Sequence, residues 1–138
     1  MPDQRLRRVV VVGTGTGVGK TRLTCALARS LRKSAPTLAL KPVESGGRDD
    51  ARGFDVENPI AAEPHPLVEL RAALSPHLAA RREKRQFHVK ELSAWVESQE
   101  SRLALCDYVS PYIYSLVETA GGALSPLTEN ARCLDLAV

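Results

Sequence analysis

The spacing of apolar positions changes period along the chain, and each change marks an element. Val9, Val10, Val11 and Val12 form an unbroken β-branched run, which predicts a strand buried on both faces of a parallel sheet. A glycine-rich stretch follows at once. Over residues 20–33, Leu23, Ala26, Leu27 and Leu31 recur at helical spacing while Arg22, Arg29, Arg32 and Lys33 fall off that face, predicting an amphipathic helix. Pro36 punctuates it, and residues 37–43 read as a second strand. Strand, helix, strand is the unit of a parallel sheet with a right-handed crossover, so the predicted class is α/β.

Residues 44–69 are rich in Gly, Asp and Pro, hold no sustained period and read mostly as loop. Ser75-Pro76 opens a short helix that runs through Leu78, Ala79 and Ala80 into the basic cluster Arg81, Arg82, Lys84 and Arg85. Leu92, Trp95, Val96, Gln99 and Leu103 predict a second clear helix to about residue 105, with Trp95 as a core anchor. Residues 112–117 read as a third sheet strand leading into Glu118 and the small-residue turn Thr119, Ala120, Gly121, Gly122. Residues 124–138 give loop and a short terminal helix.

A chain of 138 residues, 43% hydrophobic, predicts one compact domain over 1–138. A net charge of +3 is too slight a bias to call for nucleic acid or a membrane surface. No apolar run approaches a membrane span, and the valine run is too short for a signal-peptide core, so the expected location is cytoplasmic. Cys25, Cys106 and Cys133 are odd in number and form no C-x-x-C, which predicts buried free thiols and neither disulfides nor a zinc knuckle. His65, His77 and His88 lack metal-ligand spacing.

The strongest chemical signal lies between the first strand and first helix, in Gly13-Thr14-Gly15-Thr16-Gly17-Val18-Gly19-Lys20-Thr21. Glycines let successive amides converge on a phosphate, and the helix beginning near Lys20 adds its positive dipole end. Lys20 can neutralise the terminal phosphates, and the Thr21 hydroxyl suits Mg2+ bridging the β- and γ-phosphates of ATP. Five residues separate Gly13 from Gly19, one more than in the standard loop. A dinucleotide fingerprint fits poorly, because Val18 or Lys20 falls where its third glycine belongs. A merely structural glycine turn is the bland alternative.

Fourteen of the basic residues are arginine and five are lysine, so a lysine at a chosen site suggests a need for a compact point charge. Lys41 sits at the end of the second strand, where open α/β sheets put their ligands; an ordinary surface lysine is the competing reading. Glu118 ends the third strand beside Gly121 and Gly122, where a carboxylate can hold Mg2+, although strand-end acids are also commonplace.

Gly13 to Thr21, Lys41-Pro42-Val43 with Ser45-Gly46, Ser75-Pro76-His77, and Val117-Glu118 with Ala120-Gly121-Gly122 and Pro126-Leu127 together resemble the dethiobiotin synthetase family. That family has the same one-residue extension of the phosphate loop. The resemblance implies a three-layer P-loop NTPase-type fold with a mainly parallel sheet. It implies ATP- and Mg2+-dependent closure of a ureido ring from 7,8-diaminopelargonate and CO2, giving dethiobiotin, ADP and phosphate, in a homodimer. Lys41 and Lys20 are then the catalytic lysines. Gly17, Val18, Gly19, Lys20, Thr21 and Arg22, with Asp50, Glu118, Thr119, Ala120 and Gly121, line the ATP site. Ser45 meets the diamine, and Thr21, Asp50 and Glu118 ligate Mg2+. Asp50-Ala51 fits the family's further metal-binding aspartate best, with Asp49 and Asp55 as alternatives.

The chain departs from the family pattern in several places. Gly15 and Gly17 stand where many relatives carry acids, Thr119 replaces a common glycine, and Ser110-Pro111 is inserted before the third strand. The family also continues beyond the region around residue 136, so the resemblance predicts a sheet incomplete on its C-terminal side, with an unpaired edge. Two other readings stay open: a nucleotide-binding protein without catalysis, and another phosphate-loop ATPase or amidoligase.

Overall fold

A computed structural model describes residues 4–137. Its central feature is a three-stranded parallel sheet formed by β1 (Arg5–Val11), β2 (Thr37–Leu40) and β5 (Tyr112–Glu118) in the order β1-β5-β2. Helix α1 (Lys20–Leu31) links β1 to β2. Between β2 and β5 the chain forms β3 (Val43–Ser45), α2 (Asp49–Glu57), β4 (Val68–Leu70), α3 (Pro76–Arg82) and α4 (Val89–Ala104). A 3-10 helix over Cys133–Ala137 closes the described chain.

The pleat sorts the sheet's side chains into two cores. Leu38 and Leu40 of β2 and Ile113 and Val117 of β5 face a large cluster with Leu92, Trp95, Val96 and Leu103 of α4. Ala39 and Leu116 point the other way, against Ala28 of α1 and Phe54 of α2. Helices thus cover both faces, and the α/β expectation with a parallel sheet holds. No helix among the described residues is long and apolar enough to cross a membrane.

Several local expectations are corrected. The valine run is not buried on both faces: β1 lies at the sheet edge, bonded to β5 alone, with residues 5–9 exposed and Val11 buried. Over residues 37–43 the strand breaks after Leu40, because Pro42 has no N–H for a ladder. Val43–Ser45 instead pairs in parallel with Val68–Leu70 as a separate two-stranded sheet. Residues 44–69 are only half loop, since β3 and β4 take two each of the 26 and α2 occupies nine. Its sequence concealed it: only Ala51 and Phe54 are buried, and its cap comes from outside, where both Glu44 carboxylate oxygens accept the amides of Asp50 and Ala51 at 2.9 and 3.0 Å.

The inward face of α1 also differs from the leucine pattern. Thr24 and Ala28 are buried whereas Leu23 is 52% exposed, because the Thr24 hydroxyl reaches Glu118 and fixes the helix's rotation. Of the cysteines, only Cys133 is buried; Cys25 and Cys106 are partly exposed free thiols. Trp95 is a core residue as expected.

The outer edge of β2 is closed by a side chain in place of a strand. The Asn58 amide accepts from Ala39 N–H at 2.8 Å and donates to Ala39 C=O at 2.9 Å. Arg32 braces it, donating to Asn58 Oδ1 and to the Thr37 carbonyl. Asn58→Ala leaves two peptide groups of a buried strand unpaired and is expected to cost about 2 kcal/mol. Urea unfolding measures this, and a loss below about 0.5 kcal/mol, the size of a neutral surface change, contradicts the surrogate-strand role.

Candidate functional site

Strand register brings the chemistry together. Val11 pairs with Glu118 across β1 and β5, and Leu40 pairs with Val117 across β2 and β5. The chain leaving β1 enters the glycine loop, the chain leaving β2 becomes Lys41, and Glu118 stands between them at the end of the middle strand. All three meet at the carboxyl edge of the sheet, the usual ligand edge of open α/β folds.

Gly19 caps α1 with φ 104°, a left-handed conformation that glycine alone adopts without strain. A Cβ at Gly122 would lie 2.9 Å from the Thr14 carbonyl oxygen, so glycine there allows the turn after β5 to pack on the loop. Ala123 N–H donates to the Gly13 carbonyl at 2.7 Å and holds that contact. Lys20 is nearly buried, and its ammonium folds back to the Gly15 carbonyl at 2.8 Å.

Glu118 is 1% exposed, and a buried carboxylate requires partners. The Thr21 hydroxyl donates to Oε1 at 2.8 Å. The Thr24 hydroxyl lies 2.9 Å from Oε2 and equally near the Lys20 carbonyl. The Lys41 ammonium donates to Oε1 at 2.9 Å and closely to Asp50 Oδ2. Burial alone pulls Lys41 down, but the charges and hydrogen bonds of Glu118 and Asp50 outweigh it and hold the ammonium above its usual pKa. Glu44 moves up because it is buried, despite the two amides that favour its ionised form.

These groups bound a cavity of about 600 Å³ whose walls include Gly17, Gly19, Lys20, Thr21, Arg22, Lys41, Asp50, Glu118 and Gly121. The remaining candidates lie off its walls. Val18 is exposed, Ser45 is half-buried at the end of β3, Ala120 is buried, and Thr119 turns its hydroxyl to the Val11 carbonyl. Of the alternative aspartates, Asp50 reaches the cavity, whereas Asp55 points to His65 Nδ1 at 2.8 Å. Thr16, Cys25 and Arg29 also line the cavity, and burial pushes the Cys25 thiol up. The helical spacing of Cys25 and Arg29 from Thr21 was the available sequence signal for those two.

A protein-family model described as an AAA domain matches residues 7–138. The chain is 38% identical to the ATP-dependent dethiobiotin synthetase BioD of Methylobacterium nodulans over 90% of its own length and 59% of that protein's. It is 37% identical to the namesake of Caulobacter sp. strain K31, covering 93% and 56% of the two chains. With that of Methanocaldococcus jannaschii it shares 30% identity over 93% and 59%. The chain belongs to this AAA domain family, and the relatives it matches are dethiobiotin synthetases. It spans between 56% and 59% of the length of these curated relatives.

The donor set of the cavity fits Mg2+. Two carboxylates and a hydroxyl are hard oxygen ligands, few enough to leave positions for phosphate oxygens and water. A cation already stands among them, since the Lys41 ammonium bridges Asp50 and Glu118.

Removing one partner of a buried ion pair strands the other, so Glu118→Leu is expected to cost about 3 kcal/mol. The double variant Lys41→Met, Glu118→Leu should recover at least about 1 kcal/mol of the summed single losses. A urea-unfolding cycle measures it, and strict additivity contradicts the coupling.

Proposed function

We propose that this chain performs the nucleotide and carboxylation chemistry of a dethiobiotin synthetase: ATP, CO2 and 7,8-diaminopelargonate give dethiobiotin, ADP and phosphate. The observation that carries this reading is the convergence of two lysines from different elements, Lys20 and Lys41, with Asp50 and Glu118 on one cavity beside a phosphate loop.

In this reading one amine of the substrate takes up CO2 as a carbamate. A carbamate oxygen attacks the γ-phosphorus of ATP, and ADP leaves. The second amine then attacks the carbonyl carbon and expels phosphate, closing the ring. The loop amides and Lys20 bind the phosphates, with Arg22 at the rim and the turn of Thr119, Ala120 and Gly121 bordering the nucleotide. Thr21, Asp50 and Glu118 would hold Mg2+, which when bound offsets charge on the phosphate oxygens. Lys41 is released from Asp50 and Glu118 to face the anionic carbamate, where a preformed positive charge lowers the barrier most. Ser45 receives the diamine where it extends past the cavity toward β3. Assembly as a homodimer belongs to the same reading and derives from the family resemblance; a cytoplasmic location is proposed with it.

The purified chain, given Mg·ATP, carbon-13 bicarbonate and 7,8-diaminopelargonate, is expected to release phosphate only with the diamine and to form labelled dethiobiotin detectable by mass spectrometry. Lys41→Ala should lower turnover at least ~100-fold while ADP still binds. Dethiobiotin formed at the normal rate by Lys41→Ala rejects the role of Lys41. Nucleotide binding without any diamine-dependent phosphate release in the unmutated chain favours a nucleotide-binding protein without ligase activity.

A further inference from the structure

We propose that His65 is a positioning residue for Lys41, holding the lysine's backbone so that its ammonium reaches the cavity. The inference rests on the functional reading of Lys41 above. Lys41 is the first residue past β2, whose ladder with β5 ends at Leu40 and Val117. Its amide therefore has no strand partner, and Pro42 after it cannot donate at all. The His65 ring supplies the acceptor: Lys41 N–H donates to Nε2 at 2.9 Å. An acceptor nitrogen carries no proton, so in the neutral ring the proton sits on Nδ1, which donates to Asp55 Oδ1 at 2.8 Å.

The same helix therefore grips Lys41 at both ends. Asp50 on the first turn of α2 meets the ammonium, and Asp55, five residues on, orients the ring that holds the amide. The His65 side chain is fully buried. It packs between Phe54 and Trp95, with ring centroids 6.3 and 5.7 Å away. Burial lowers its pKa more than Asp55 raises it, which keeps Nε2 free to accept.

A core histidine with no role beyond packing could be replaced by an apolar residue of similar size, whereas a positioning residue needs its acceptor. Nitrogen-15 NMR of the unmutated chain is expected to show His65 with a protonated Nδ1 and a bare Nε2; a protonated Nε2 overturns the proposal before any variant is made. His65→Leu removes the acceptor, and His65→Gln restores one near the Nε2 position. A misplaced catalytic group loses activity steeply, so His65→Leu should lower kcat at least ~10-fold with the KM for ATP unchanged, and His65→Gln should recover most of it. Equal losses in the two variants, or none in His65→Leu, reject the role.

A second readout needs no turnover. The rate at which an amine-reactive ester labels Lys41, followed by peptide mass spectrometry, should rise at least ~5-fold in His65→Leu as the ammonium loses its grip on Glu118, and stay near the unmutated rate in His65→Gln. If the unmutated chain makes no dethiobiotin, the ligase reading fails while the labelling rates still decide whether His65 holds Lys41. Equal labelling in all three proteins rejects the proposal.

Discussion

Burying one carboxylate constrains most of this site. Glu118 ends the middle strand of a parallel sheet with almost no exposed surface, and an unpaired charge there would cost several kcal/mol. The fold answers with two hydroxyls of α1 and the ammonium that follows β2. The partners come from two separate parts of the chain, so satisfying one charge fixes the rotation of α1 and the exit of β2, and the shared ammonium draws in α2 through Asp50. The cavity lies where those constraints meet.

The same arrangement sets the charge balance of the site. Lys41 stands among oxygen donors suited to a divalent cation, and Lys20 turns back onto its own loop. Lys41 is held by carboxylates that Mg2+ would engage in its place, and Lys20 by a loop carbonyl whose place a phosphate oxygen would take. On the proposed reading, nucleotide binding exchanges internal ion pairs for ligand contacts, and the charges need not be assembled from solvent.

Local signals made much of this legible in the sequence, and nonlocal ones hid the rest. Gly13 to Thr21 announced the phosphate loop because the strand before it, the helix after it and the glycine spacing are all contiguous. Trp95 and its helix were readable from a helically spaced stripe that is apolar except at Gln99. Helix α2 was not, because its buried face is two residues wide and its cap is the side chain of Glu44, which precedes the helix by five residues instead of standing at its N-cap. The edge position of β1 was equally hidden, since four valines look the same whether a neighbouring strand covers them or not. Lys41 and Glu118 were recognisable as strand-end residues, but their contact depends on β2 and β5 being neighbours, which no spacing reveals. Family resemblance favoured Asp50 over Asp55, and the contrast is physical: Asp50 reaches the ammonium while Asp55 turns to the imidazole. His65 carried no periodic or motif signal at all.

On the proposed reading, Glu118 makes this cavity a metal-dependent nucleotide site. Calorimetric titration of ADP into the unmutated chain and into Glu118→Gln, each with and without Mg2+, tests it most directly. Mg2+ is expected to tighten ADP binding to the unmutated chain at least ~10-fold, and Glu118→Gln to lose this enhancement while keeping its metal-free affinity. An equal Mg2+ enhancement in both proteins, or no ADP binding to the unmutated chain, contradicts it.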